Sequence, residues 1–186
     1  MADTIVIFGA SGDLTSRKLI PALYRLFIKG RLPSGSRIVG VSRSHFDHQQ
    51  WRDLLRETTA KYVGDAFNGE SWDAFAENVY YHPGDIKQSS SFQSLSEFLG
   101  SIEPEPDCGR LYYLSTMPQL YAEAIRQLGA AGLADDRDGF RRVIIEKPFG
   151  TDLKSAHALN DCIHEVFRED QIYRIDHYLG KGTVQN

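Results

Sequence analysis

The chain has 186 residues, 41% of them hydrophobic, with 21 basic and 25 acidic side chains and a formal net charge of −4. That length predicts one domain with at most a short appendage, and the composition excludes disordered and fibrous classes. The absence of a basic stripe argues against a nucleic-acid-binding surface, and no run approaches the roughly 20 apolar residues that span a bilayer.

The first run, Thr4-Ile5-Val6-Ile7-Phe8, is apolar at nearly every position, so both its faces must be covered, as in a central parallel strand. Leu19, Leu23, Leu26 and Phe27 then give one apolar face to a helix ending near Gly30, with Pro21 early enough to be tolerated in a first turn. A strand over Arg37 to Val41 and a helix over Asp47 to Tyr62 follow. Between Gly64 and Asn78, Trp72 and Phe75 read as core residues of a short helix. Next come a strand over Val79 to His82, a helix over Ser89 to Leu99, and a surface connection over Ser101 to Asp107. The remaining pattern gives a strand over Arg110 to Leu114, a helix over Pro118 to Leu128, a strand over Val143 to Glu146 and a helix over Asp152 to Val166. The segment Ile172 to Leu179 reads as a sixth strand running into a helix.

This alternation predicts an α/β fold, a doubly wound and mostly parallel sheet of Rossmann type. Residues 1–172 are expected to form a dinucleotide-binding domain. Cys108 and Cys162 stand in no metal-ligand spacing, so two ordinary thiols and no metal site are expected. With no leader-like N-terminus, the sequence reads as that of a cytoplasmic protein with neither membrane nor nucleic-acid partner.

The chemistry concentrates in four places. Gly9-Ala10-Ser11-Gly12-Asp13-Leu14 follows the first strand and opens the first helix, where glycines let the backbone approach a phosphate and the helix end supplies free N–H groups. Its Gly-x-x-Gly spacing is shorter than the full dinucleotide fingerprint, and a tight turn without a ligand is its plainer reading. The second strand ends Ser42-Arg43, with no acid for an adenosine ribose and an arginine suited to a 2′-phosphate. Glu146-Lys147-Pro148-Phe149-Gly150 follows the fifth strand, where ligands of open α/β sheets bind, and aims Lys147 at that crevice. Arg174-Ile175-Asp176-His177-Tyr178-Leu179-Gly180-Lys181 gathers an acid, an imidazole, a phenol and an ammonium, a set suited to holding an anion and orienting a proton transfer.

Three of these segments in order, Gly9 to Leu14 continued by Thr15-Ser16-Arg17-Lys18-Leu19-Ile20-Pro21-Ala22-Leu23-Tyr24, then Glu146 to Gly150 and Arg174 to Lys181, resemble the glucose-6-phosphate dehydrogenase family. The resemblance spans nearly all of the chain and corresponds to the family's N-terminal coenzyme domain and the start of its substrate domain. That residues 173–186 begin a second, substrate-binding domain, otherwise largely absent, is implied by this resemblance alone. It implies oxidation of glucose 6-phosphate to 6-phosphogluconolactone, the first step of the pentose phosphate pathway, with hydride transfer to NADP⁺ or, in some members, NAD⁺. By the same resemblance Gly9, Ser11, Gly12, Asp13 and Leu14 line the diphosphate turn, with Arg17 nearby and Ser42 and Arg43 toward the 2′-phosphate. Lys147 contacts sugar and coenzyme together, His177, Tyr178 and Lys181 bind the substrate phosphate, and Asp176 orients a catalytic histidine.

That histidine matches none of His45, His48, His82, His157, His164 and His177, so the isolated chain is expected to be inactive. Where the family reads Gly-Lys-Glu-Met-Val-Gln-Asn, this chain has Gly180-Lys181-Gly182-Thr183-Val184-Gln185-Asn186. The partner implied is a small sugar phosphate, with a homo-oligomer expected for a full-length protein. A non-catalytic NADP(H)-binding module stands as the alternative.

Overall fold

A computed structural model describes residues 3–150 and 152–176. The first strand, β1 (Thr4–Phe8), is flanked on both sides: β2 (Arg37–Ser42) pairs with it through Val6↔Val39, and β4 (Arg110–Leu114) through Val6↔Tyr112. Outside these lie β3 (Val79–Pro83), β5 (Arg141–Glu146) and β6 (Ile172–Ile175), giving the order β3-β2-β1-β4-β5-β6 with every pairing parallel. The order reverses at β1, so connections leave it toward opposite halves of the sheet and open a crevice at its carboxyl end. The sheet runs on through Ile175, three residues past the boundary expected at residue 172.

Alternation along the strands sorts the core into two layers. Val6, Phe8, Tyr112 and Ile145 pack under α4 (Ser89–Ile102), α5 (Tyr121–Ala130) and α6 (Leu153–His164). Ile7, Ile38 and Tyr81 face α1 (Ile20–Ile28), α2 (His48–Val63) and α3 (Gly69–Ala76). α3 is the short helix expected around Trp72 and Phe75; both rings are buried against Tyr24, at centroid distances of 5.8 and 5.6 Å.

The first helix departs from its expected pattern. Pro21 has no N–H to give, and just before it Thr15–Leu19 winds as a π-helix in which the Ile20 N–H reaches back to the Thr15 carbonyl. A one-residue insertion of this kind rotates the helix face. Ile20, Pro21 and Tyr24 are the buried residues of α1; of the face expected from the sequence, Leu19, Leu23 and Phe27 pack against the same core, while Leu26 is 39% exposed. The helix expected from Pro118 opens as a 3₁₀ turn, Pro118–Leu120, before α5. Cys108 and Cys162 are buried free thiols. Among the described residues no helix is long and apolar enough to cross a membrane.

Candidate functional site

The carboxyl ends of β1 to β4 enclose a groove of about 740 Å³ lined by Gly9, Ser11 to Leu14, Val41 to Ser44, Gly84 to Ile86, Ser115 to Met117 and Leu120. The groove lies where the strand order reverses, the position at which open α/β sheets bind ligands. It therefore brings together Gly9, Ser11, Gly12, Asp13, Leu14, Ser42 and Arg43, seven residues singled out in the sequence.

Gly9 has φ +92°, and a Cβ on it would lie 1.9 Å from the Ser115 carbonyl oxygen. The turn is thus pressed against the end of β4, and only a residue without a side chain can stand there. The Gly9 and Ala10 N–H groups donate to the Val41 carbonyl at 2.9 and 3.1 Å, and the Gly12 N–H donates to the Gly9 carbonyl at 2.9 Å. Thr15 is fully buried, and its hydroxyl donates to the Gly9 carbonyl at 3.0 Å. With the turn fixed this way, the N–H groups of Ser11, Asp13 and Leu14 donate no hydrogen bond among the described residues. Unused donors at a helix start that line an open groove fit a diphosphate. Asp13 sets a carboxylate at the same place, and Arg17, which does not line the groove, pairs with it at 3.3 Å.

Arg43 is exposed at the second strand's end and makes no hydrogen bond or ion pair among the described residues. The Ser42 hydroxyl lies 2.7 Å from the Tyr81 phenol. Nothing acidic stands at the end of β2; Asp47, five residues on, caps α2 by accepting from the Gln50 N–H at 2.8 Å. A guanidinium with free donors is matched to a phosphate group.

At another corner of the same edge, Lys147 Nζ lies 3.0 Å from Asp176 Oδ2, and the Lys147 N–H donates to the Ile175 carbonyl at 3.1 Å. The structure brings these two predicted residues together, but Lys147 is turned onto Asp176 and does not line the groove. The Lys147–Pro148 peptide is cis. Beside it, Tyr113 donates its O–H to Glu146, and burial first, then that carboxylate, hold the phenol far above its usual range. His177, Tyr178 and Lys181 lie outside the described residues. Among the described residues no group of three or more His, Cys, Asp or Glu side chains is placed to hold a metal ion.

Several lining and supporting residues were not singled out from the sequence. Gly84 to Ile86 and Ser115 to Met117 follow β3 and β4, and the rule that ligands lie at strand carboxyl ends was signal enough to find them. Trp51 and Gly40 are different. A Cβ on Gly40 would lie 2.3 Å from the Trp51 ring, whose N–H reaches the Ala10 carbonyl at 3.4 Å. The indole thus supports the turn from below, and no local motif marks that contact.

A model of the family described as "Glucose-6-phosphate dehydrogenase, NAD binding domain" matches residues 6–186. A glucose-6-phosphate 1-dehydrogenase of Aggregatibacter actinomycetemcomitans is 44% identical over 98% of this chain, and one of Bacillus subtilis 41% over 98%. The chain spans only 37% and 36% of those two relatives. Among solved structures, a glucose-6-phosphate dehydrogenase in complex with glucose 6-phosphate superposes with a TM-score of 0.88 at 34% identity, over 99% of this chain and 38% of that one. The enzyme from Mycobacterium avium gives 0.83 at 36% identity, over 97% of this chain and 37% of that one. Sequence, strand order and groove agree: the chain belongs to the glucose-6-phosphate dehydrogenase family and corresponds to its NAD-binding domain.

Proposed function

We propose that this chain is the coenzyme-binding part of an enzyme that oxidises glucose 6-phosphate to 6-phosphogluconolactone with NADP⁺. The observation that carries the reading is the groove at the strand-order reversal, with unused N–H donors at one end and an unengaged arginine at the other. Gly9, Ser11, Gly12, Asp13 and Leu14 receive the diphosphate, the Ser11, Asp13 and Leu14 N–H groups donating to its oxygens. Arg17 offsets the Asp13 carboxylate, which would otherwise oppose that anion. Ser42 and Arg43 receive the 2′-phosphate, and the lack of an acid after β2 disfavours NAD⁺ as the preferred coenzyme. NADP⁺, when bound, supplies the acceptor for the hydride leaving C1 of the sugar.

Lys147 contacts sugar and coenzyme, so its ammonium must be shared between Asp176 and the ligands. Asp176 orients the imidazole of a general base, and His177, Tyr178 and Lys181 hold the substrate phosphate. These last roles rest on the match of the Arg174 to Lys181 segment to the family motif. The full protein is read as a cytoplasmic homo-oligomer.

Calorimetric titration with NADP⁺ and NAD⁺ tests the assignment. Arg43→Ala should weaken NADP⁺ binding by about 10- to 150-fold, the worth of a charge-assisted hydrogen bond of roughly 1.5 to 3 kcal/mol. NAD⁺ binding should hardly change. Equal NADP⁺ affinity in the variant would overturn the role given to Arg43.

A further inference from the structure

Residues 43–46 link β2 to α2 and carry Arg43 into the groove. Among the described residues, one side chain makes the only hydrogen bond that reaches this link. The Tyr81 phenol lies 2.5 Å from the Ser44 carbonyl, 3.2 Å from the Ser42 carbonyl and 2.7 Å from the Ser42 hydroxyl. A phenol has one proton to give, so it donates chiefly to the Ser44 carbonyl, its nearest acceptor, and accepts from the Ser42 hydroxyl. The Phe46 ring meets the same tyrosine edge-on at 5.4 Å, completing the grip at the far end of the link.

Tyr81 stands on β3, one of the two edge strands, whose outward N–H groups lack a strand partner. Its own N–H donates to His48 Nδ1 at 3.0 Å, and the next outward carbonyl along, Val79, accepts from Arg52 Nε at 2.7 Å. The acceptor role of His48 requires the neutral ring, because both nitrogens of an imidazolium are donors.

We propose that Tyr81, held at the sheet edge by His48, is the positioning residue for coenzyme selection. Its phenol fixes the link of residues 43–46 that presents Arg43, and the grip loosens when the His48 ring takes a proton. The inference rests on the reading that Arg43 meets the 2′-phosphate. The groups facing His48 are Asp47 and Arg52 of α2, His82 of β3, and the rings of Tyr80 and, from α4, Phe98. Burial, and after it Arg52, hold the imidazole below its usual 6.5, against the opposing pull of Asp47. The ring is therefore neutral at neutral pH, and protonation follows only on acidification below 6.5.

The test is calorimetric titration of wild type, Tyr81→Phe, His48→Asn and His48→Leu with NADP⁺ and NAD⁺, well above and well below pH 6.5. Tyr81→Phe keeps the buried ring and should lose about tenfold in the NADP⁺/NAD⁺ preference, the worth of a net hydrogen bond or two. Asparagine can still accept the Tyr81 N–H through Oδ1 but does not titrate. His48→Asn should therefore keep its preference at high pH and lose less of it on acidification than wild type does. Protonation of the 2′-phosphate near pH 6 acts on every variant alike, so the difference between the two proteins isolates the imidazole.

His48→Leu removes the acceptor and should lower the preference at every pH, which keeps the inference testable if Tyr81→Phe melts without cooperativity. A folded Tyr81→Phe variant with wild-type preference would overturn the inference while leaving Arg43 in its role. Identical acid profiles for wild type and His48→Asn would remove the imidazole's part. A wild type that binds both coenzymes equally would overturn the reading of Arg43, and this inference with it.

Discussion

The sheet's carboxyl edge has two corners built on different terms. Around β1 to β3 the backbone is held by the chain's own groups: Thr15 and Ser115 fix the Gly9 turn, Trp51 supports Ala10, and Tyr81 grips the link that carries Arg43. What stays unengaged there is a set of donors suited to phosphate. Around β5 and β6 the functional groups hold each other, with Lys147 and Asp176 in a pair whose side chains are 55% and 28% exposed. The β1 to β3 corner is thus preorganised and presents donors with no partner among the described residues. At the other corner any ligand drawn to Lys147 would compete with an ion pair.

The comparison can be broken by substitution. Trp51 is fully buried beneath the turn, and Trp51→Ala should cost about 4 kcal/mol of stability in urea unfolding, with coenzyme affinity falling in whatever remains folded. A loss below about 1 kcal/mol would mean that the turn is held by other contacts. Gly9→Ala combines a positive φ with an overlap on β4 backbone, and these should together cost about 3 kcal/mol. An unchanged urea midpoint would show that the turn relaxes freely and is not preorganised.

Acid sharpens the contrast further. Burial lowers the His48 and His82 imidazoles below 6.5, with Arg52 adding to the shift of His48 and His48 to that of His82. A histidine whose folded value lies below its unfolded one contributes stability that is intact above 6.5 and is lost as pH falls through 6.5 toward the folded value. Unfolding free energy should therefore decline below pH 6.5, and His82→Asn should flatten that decline. A decline of equal slope in the variant would contradict the assignment. The smallest effect belongs to the other corner. Lys147→Ala removes an exposed pair and should change stability by less than about 1 kcal/mol, measured by the same urea titration. A loss of several kcal/mol would show that this corner is load-sharing after all, and the comparison would fail.

Most of the fold was legible because periodicity and punctuation coincided. β1 and β4 fall on the residues expected, since Thr4–Phe8 and Arg110–Leu114 are bounded by turn residues and are apolar on both faces. Of the face expected on α1, Leu19, Leu23 and Phe27 pack against the core and Leu26 alone turns outward, while the buried Ile20 and Tyr24 extend that face. In the site, two short local segments were readable: the Gly9 to Leu14 turn and Ser42-Arg43 stand where the ends of β1 and β2 put them. The supports were not. Tyr81 reaches Ser44 from another strand, and Trp51 reaches Ala10 from another helix, so their roles exist only once the chain has folded. Tyr113 and Glu146 are likewise partners across β4 and β5 that no local spacing announces.

On the proposed reading, the groove at the strand-order reversal receives the coenzyme. Backbone amide shifts of the labelled chain, followed by NMR during titration with NADP⁺, test it most directly. Saturable changes are expected at Gly9, Ser11, Gly12, Asp13, Leu14, Ser42 and Arg43, with smaller ones at Gly84 to Ile86. Changes confined to the separate hollow between Phe149, His157 and Arg174, or none at saturating NADP⁺, would contradict it.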